Sequence, residues 1–155
     1  MILGDIIANT AQAATKPAVA RRAFLLLTKR YAQQAKDPVL KDLFLQLQKK
    51  EQEHHDTLGR VLQGEVVSCD CNDSDGKNYQ PKATYTSMSS PEDKENDCFL
   101  ATDCIGTEKL VSGEYNTNVF NFGEAWLRKL LADIQIEEQN HAEMLYKYKM
   151  VNQMA

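Results

Sequence analysis

Glu51-Gln52-Glu53-His54 in the first half of this chain recurs as Glu138-Gln139-Asn140-His141 in the second half. The same offset along the chain also places Leu58 on Leu145. A motif that returns with its surroundings indicates an internal repeat of one structural unit. The sequence therefore predicts two related halves, each containing a Glu-x-x-His pair.

Each copy of the motif lies on an apolar stripe that advances by alternate steps of four and three residues. In the first half the stripe consists of Leu40, Phe44, Leu47, Glu51, His54, Leu58 and Val61. In the second half it consists of Leu127, Leu131, Ile134, Glu138, His141, Leu145 and Tyr148. Residues at this spacing share one face of a helix, and apolar neighbours mark that face as buried. We therefore expect the glutamate and the histidine of both motifs to point into a core.

The predicted architecture is an all-α four-helix bundle made of two antiparallel hairpins, in a single domain over residues 1–155. The expected helices span about residues 16–35, 38–62, 103–121 and 124–150, and a short amphipathic helix is expected at about 2–13. Residues 64–97 are rich in Ser, Asp, Asn, Pro and Lys and lack periodicity. They are predicted to form a long crossover loop between the hairpins.

Hairpin geometry predicts which residues face the two motifs. Residues equidistant from a turn lie opposite each other, so a turn near Gly123 places Glu108 opposite Glu138. Glu108 lies on a third predicted stripe, which contains Ile105, Glu108, Ser112, Tyr115, Val119 and Phe122. The same construction about Lys36 places Arg21 opposite Glu51, where a further carboxylate would complete the symmetry.

A buried carboxylate needs a cation, a proton or hydrogen-bond donors. A glutamate and a histidine spaced i, i+3 on one helix face can both point at one metal ion. The predicted metal ligands are Glu51, His54, Glu108, Glu138 and His141, with Arg21 and Tyr115 beside them.

Two interpretations of Arg21 stay open. In one, its guanidinium replaces the metal in a structural ion-pair network. In the other, Arg21 turns away, and one ion or an unequal pair of ions, iron or manganese, is bound. His55, Glu53, Glu137 and Glu143 are assigned to the solvated faces of the helices.

These motifs resemble the ferritin-like superfamily, in particular its rubrerythrin-like group, where each hairpin contributes a Glu and a Glu-x-x-His. The stretches Glu108-Lys109-Leu110, Tyr115-Asn116-Thr117 and Ile134 to His141 also resemble the coat F family of spore-coat proteins. The first resemblance implies a four-helix bundle. Complete di-iron sites in that superfamily use four carboxylates, whereas this chain offers three, because Arg21 occupies the position expected for the fourth. The second implies a protein of an endospore-forming bacterium.

Composition and the cysteines limit the remaining function classes. The 18 Lys and Arg are scattered among 22 Asp and Glu, for a net charge of −4, so nucleic-acid binding is not expected. Neither a membrane span nor a leader peptide is expected, which predicts a cytoplasmic protein, and the coat F resemblance implies the spore coat as the alternative location. The cysteines are interpreted first as reduced thiols, with a metal cluster or disulfides as alternatives; they are Cys69, Cys71, Cys98 and Cys104.

Two functional classes follow. The first is a structural or interaction protein of the spore-coat type with a complete or reduced metal site, whose partners would be a second copy of the chain or other coat proteins. The second is a di-iron or di-manganese oxidoreductase acting on oxygen, peroxide or ferrous iron. Metal content distinguishes the two, and the sequence leaves open whether the protein is an enzyme.

Overall fold

The computed structural model describes residues 24–67 and 74–154, with the side chains of residues 74 and 75 excepted. Within these ranges the chain forms five helices and no strand, which confirms the predicted all-α class. Helix α1 covers 24–34, and it is followed by α2 (Pro38–Leu62), α3 (Ser74–Asn78), α4 (Pro91–Val119) and α5 (Ala125–Val151). The predicted helix at 2–13, the start of the first long helix and Arg21 lie outside the described residues.

Helix α2 has clear start and stop signals. The Asp37 side chain accepts a hydrogen bond from the backbone N–H of Val39 at 2.9 Å, and Pro38 occupies the first turn, where its missing N–H costs nothing. After the helix ends, Gly64 adopts a φ of 85°, a left-handed conformation that favours glycine. All seven residues of the predicted stripe on α2 are buried.

Helix α4 begins at Pro91, well before the predicted start at residue 103. Ser90 caps it by accepting a hydrogen bond from the N–H of Asp93 at 3.2 Å, and Glu92 and Asp93 lie in the first turn, where acidic residues favour a helix. Residues 90 and 91 belong to the predicted crossover loop over 64–97, whereas in the structure they form a helix start. The crossover between α2 and α4 is correspondingly shorter and contains α3.

The buried face of α4 also differs from the predicted stripe. Glu108 and Tyr115 are buried as expected, but Ile105, Ser112 and Val119 are only half-buried. The buried positions instead include Asp97, Ala101, Cys104, Glu108, Val111, Tyr115 and Asn118. The helix is therefore rotated slightly from the predicted orientation, because polar residues at its two ends, which an apolar pattern ignores, belong to the core.

Helices α4 and α5 run antiparallel and pack along their length. Near the start of α4, Lys149 donates to the Thr102 hydroxyl at 2.7 Å, and the Cys98 thiol donates to the carbonyl of Met154 at 3.3 Å. Helix α2 and the short α3 also contact α5. Helix α1 lies against α2, with the Tyr31 and Phe44 rings 5.3 Å apart. None of the helices in the described ranges has both the length and the apolar character required to cross a bilayer.

A buried polar network joins the crossover to the ends of the long helices. Asp97, which is fully buried, accepts hydrogen bonds from the backbone N–H groups of Lys36 and Asp37 at 2.9 and 2.8 Å and from the Tyr85 hydroxyl at 2.8 Å. Asp37 in turn accepts from the Tyr148 hydroxyl at 2.7 Å. These bonds fix the turn between α1 and α2 against α4 and α5, and we call this set the Asp37–Asp97 network.

The same network fixes the crossover. Asn152 accepts hydrogen bonds through Oδ1 from the backbone N–H groups of Thr84 and Tyr85 at 2.8 and 3.0 Å. The Thr84 hydroxyl donates to Asp37. Residues 84 and 85 are therefore held between the start of α2 and the end of α5.

Candidate metal centre

Four of the predicted ligands come together from three helices. Glu51 lies on α2, Glu108 on α4, and Glu138 and His141 on α5. One ligand atom from each of the four lies within 4.8 Å of the others, and all four residues are fully buried. Alternate steps of four and three residues along each helix bring these side chains to the same inner surface.

The spacing suits a metal ion after small side-chain movements. Nδ1 of His141 is 3.3 Å from Oε1 of Glu51 and 3.7 Å from Oε1 of Glu108. Ligand atoms on opposite sides of an ion lie about 4.4 Å apart when each bond is about 2.2 Å. Three carboxylates and an imidazole form a donor set that Mn²⁺ and Fe²⁺ accept.

Glu108 provides the strongest electrostatic argument for a cation. Its carboxylate oxygens accept no hydrogen bond from an N–H or hydroxyl group of a described residue, and the hydrogen-bond partner of its carboxyl group is the Glu138 carboxyl. Burial raises the pKa of Glu108 well above its usual value, and the negative charges of Glu138 and Glu51 raise it further. A carboxylate in this position must either keep its proton or be neutralised by a positive charge.

His54 lies close to two of the same carboxylates, those of Glu138 and Glu51. Its Nδ1 is 3.3 Å from Oε1 of Glu138 and 3.7 Å from Oε1 of Glu51. The rings of His54 and His141 are 6.1 Å apart and nearly parallel, at 23°. Both histidines of the repeated motif therefore converge on Glu51 and Glu138, although His54 stands outside the compact set of four.

Glu137 is buried in contact with Nε2 of His54, which corrects its assignment to the helix surface. The other two glutamates in that assignment, Glu53 and Glu143, are exposed. Sequence reasoning missed Glu137 because it followed one stripe on α5. A second stripe at helical spacing is also buried and consists of Leu130, Ile134, Glu137, His141, Met144 and Tyr148.

The remaining predicted residues surround the cluster or lie away from it. Tyr115 is buried on α4, two turns beyond Glu108, and His55 is partly exposed beside Asp56 at 3.4 Å. Cys98 and Cys104 are free thiols, and burial, followed by the charge of Glu51, raises the pKa of Cys104. The predicted reduced state of the cysteines stays a prediction, and Cys69 and Cys71 lie outside the described residues.

A surface cavity of about 210 Å³ extends to His141. Its walls come from α2 and α5 and include Gln46, Leu47, Lys49, Lys50, Glu53 and Met144. The cavity is large enough for a few water molecules or a small ligand. His141 forms part of its wall, although the side chain of His141 is itself buried.

The described residues define the class of an all-α protein with glutamates and histidines converging on a buried centre. Residues 96–154 match the family model of the Coat F domain, and this match supports the coat F family. The matched part contains most of α4 and all of α5, and therefore Glu108, Glu138 and His141. Glu51 and His54 precede it. No curated protein and no solved structure matches the chain.

Proposed function

We propose that this protein is a structural or interaction component of the bacterial spore coat, folded as a ferritin-like four-helix bundle that binds a metal ion at its centre. The observation that carries the proposal is the Coat F match over residues 96–154. Support for the bundle comes from the Glu-x-x-His pairs of α2 and α5, which converge as the motifs of this superfamily do. Its partners would be other coat proteins or a second copy of the chain.

The metal would have a structural role in this proposal. Glu51, Glu108, Glu138 and His141 would hold the ion, and His54 would lie beside it, close to Glu138. A bound divalent cation would supply positive charge to the buried carboxylates, among them Glu108, whose pKa burial raises well above its usual value. Because the ligands come from three helices, binding would stabilise their packing.

Two measurements test this proposal. A fluorescent fusion expressed in a sporulating host should assemble at the spore surface, and the protein should appear in the coat extract of purified spores. Metal analysis of the purified protein should give bound iron or manganese that is lost in Glu138→Ala. Uniform cytoplasmic fluorescence in mature sporangia would contradict the coat assignment, and a metal-free wild type that rejects added Mn²⁺ would contradict the metal site.

A second candidate is a di-metal oxidoreductase acting on oxygen, peroxide or ferrous iron. The cavity that reaches His141 favours it, because a reactive centre needs access for a small oxidant. An iron-loaded protein should then consume peroxide or oxygen catalytically, and Glu138→Ala should abolish turnover. Absence of turnover in a fully loaded protein would leave the structural proposal in place.

A further inference from the structure

Glu137 is a buried glutamate, although the sequence assigned it to a solvated helix face. It is 4 % exposed, it projects from α5 towards α2, and its Oε2 contacts Nε2 of His54. Burying a carboxylate is unfavourable unless it gains a partner that matters to the fold or to a site. The partner here is the one histidine of the repeated motif that stands outside the compact set of four.

The contact between Glu137 and Nε2 of His54 fixes the orientation of the His54 ring, and therefore what its other nitrogen, Nδ1, faces. In the neutral ring, a carboxylate that contacts Nε2 favours a proton on that nitrogen, and the lone pair is then on Nδ1. Nδ1 then faces Oε1 of Glu138 at 3.3 Å and Oε1 of Glu51 at 3.7 Å. The Nδ1 lone pair and the negative carboxylate oxygens repel each other when nothing lies between them. A metal cation placed between them would be bound by both.

We propose that Glu137 is a positioning residue that holds His54 by Nε2 and thereby forms a second, weaker half of the metal centre. This inference rests on the metal site of the proposed function. The stronger half consists of Glu51, Glu108, Glu138 and His141. The weaker half consists of His54 together with Glu51 and Glu138, which both halves share.

The two halves differ in the ligands they offer. The first has three carboxylates and one imidazole, whereas the second has two shared carboxylates and one imidazole. The first ion to bind also neutralises part of the shared negative charge, which lowers the attraction for a second. Glu137 contacts only His54 among the predicted ligands, so its removal should affect the second ion selectively.

The test is an anaerobic titration of metal-free protein with Mn²⁺, followed by calorimetry and by electron paramagnetic resonance. The wild type should bind two ions in distinguishable steps. Glu137→Gln should weaken the second step by about 10- to 100-fold, the usual effect of losing a carboxylate behind a ligating histidine, and should change the first by less than about 2-fold. Glu143→Gln removes the same charge from an exposed position of the same helix and should change neither step.

Several outcomes would overturn the inference. A single Mn²⁺ per chain in the wild type would exclude the second half while leaving the metal site intact. Equal weakening of both steps, or a lower melting temperature of Glu137→Gln with both affinities unchanged, would indicate a purely structural role. No Mn²⁺ binding in the wild type would instead contradict the metal site of the proposed function.

A second measurement does not require the variant to fold. Nitrogen-15 chemical shifts of the His54 ring in the metal-free wild type report which ring nitrogen carries the proton. The inference expects a proton on Nε2 and a lone pair on Nδ1 in the neutral ring. The opposite tautomer would overturn it.

Discussion

Glu108 is surrounded by negative charge and shielded from water, and this makes the metal-free protein sensitive to pH. Because its pKa is raised in the folded state, the unfolded chain releases the proton near the ordinary value of 4.5, while the folded chain retains it to higher pH. The folded state then binds more protons than the unfolded state, so stability falls as the pH rises. The loss begins above about pH 4.5 and ends once Glu108 ionises in the folded protein too.

Glu108→Gln should therefore flatten this pH dependence. As the pH rises above about 4.5, we expect the free energy of unfolding of the chelator-treated wild type to decrease, by up to about 1.4 kcal/mol per pH unit for the one group. The variant should decrease less, because a glutamine cannot ionise. Urea unfolding at four pH values measures both slopes, and Glu114→Gln, at an exposed position of α4, is the matched control. Parallel profiles for wild type and Glu108→Gln would contradict this assignment.

The hydroxyl of Tyr148 allows the contribution of the Asp37–Asp97 network to stability to be measured at one hydrogen bond. Its O–H donates to Asp37 at 2.7 Å in a buried site, and burial together with this bond raises the pKa of Tyr148, so the phenol stays neutral. Tyr148→Phe removes one donor from a buried carboxylate and should destabilise the protein by about 1–3 kcal/mol. Chemical denaturation measures the change. Tyr146→Phe, which alters an exposed ring, should shift stability by less than about 0.5 kcal/mol.

The start of α4 depends on a cap rather than on an apolar pattern. Ser90 accepts a hydrogen bond from the N–H of Asp93, and Pro91 supplies the helical φ of the first turn. Ser90→Ala should cost about 1 kcal/mol and should speed amide hydrogen exchange in the first turn of α4. Ser87→Ala, in the crossover just before this cap, is the control. If exchange at residues 93–95 were unchanged, the cap would not be what starts the helix.

The elements that the sequence predicted well are those whose apolar spacing is unbroken. Helices α2 and α5 end within a few residues of the predicted positions, and both stripes that carry Glu-x-x-His are buried. The first turns of α4 escaped prediction because residues 91–97 are mostly polar, and their helix is specified by a cap and by a buried Asp97 whose partners lie far along the chain. Such partners are not visible in a local pattern.

The candidate site was likewise predicted only in part, because a local pattern shows some of its residues and not others. Glu51, Glu108, Glu138 and His141 follow from spacing and from hairpin symmetry, and the structure brings them within ligand distance. Glu137 did not follow, because a glutamate beside another glutamate resembles a solvated face. Only the second stripe on α5, together with the position of His54 on α2, identifies it as a core residue.

For the whole molecule, the position of the candidate centre implies that binding of the proposed ion would be coupled to folding across the chain. The proposed ligands lie on α2, α4 and α5, so an ion bound there would contact the predicted first hairpin as well as the second. An ion that binds only the folded chain stabilises it by about 2.7 kcal/mol when its free concentration is 100 times the dissociation constant. For a chain of this size that corresponds to a rise of roughly 5–10 °C in melting temperature.

Heating with and without Mn²⁺ should therefore shift the unfolding of both hairpins together. The single tryptophan, Trp126 on α5, reports the second hairpin by fluorescence, while far-ultraviolet circular dichroism reports all helices. The two transitions should coincide and move upward together when Mn²⁺ is added, and Glu51→Gln on α2 should reduce the shift seen by Trp126. Glu53→Gln, at an exposed position of the same helix, should leave the shift unchanged.

One outcome would contradict the coupling of the two hairpins. If the fluorescence transition shifts with Mn²⁺ to the same extent in Glu51→Gln as in the wild type, α4 and α5 bind the ion without the first hairpin. The centre would then belong to the Coat F segment alone.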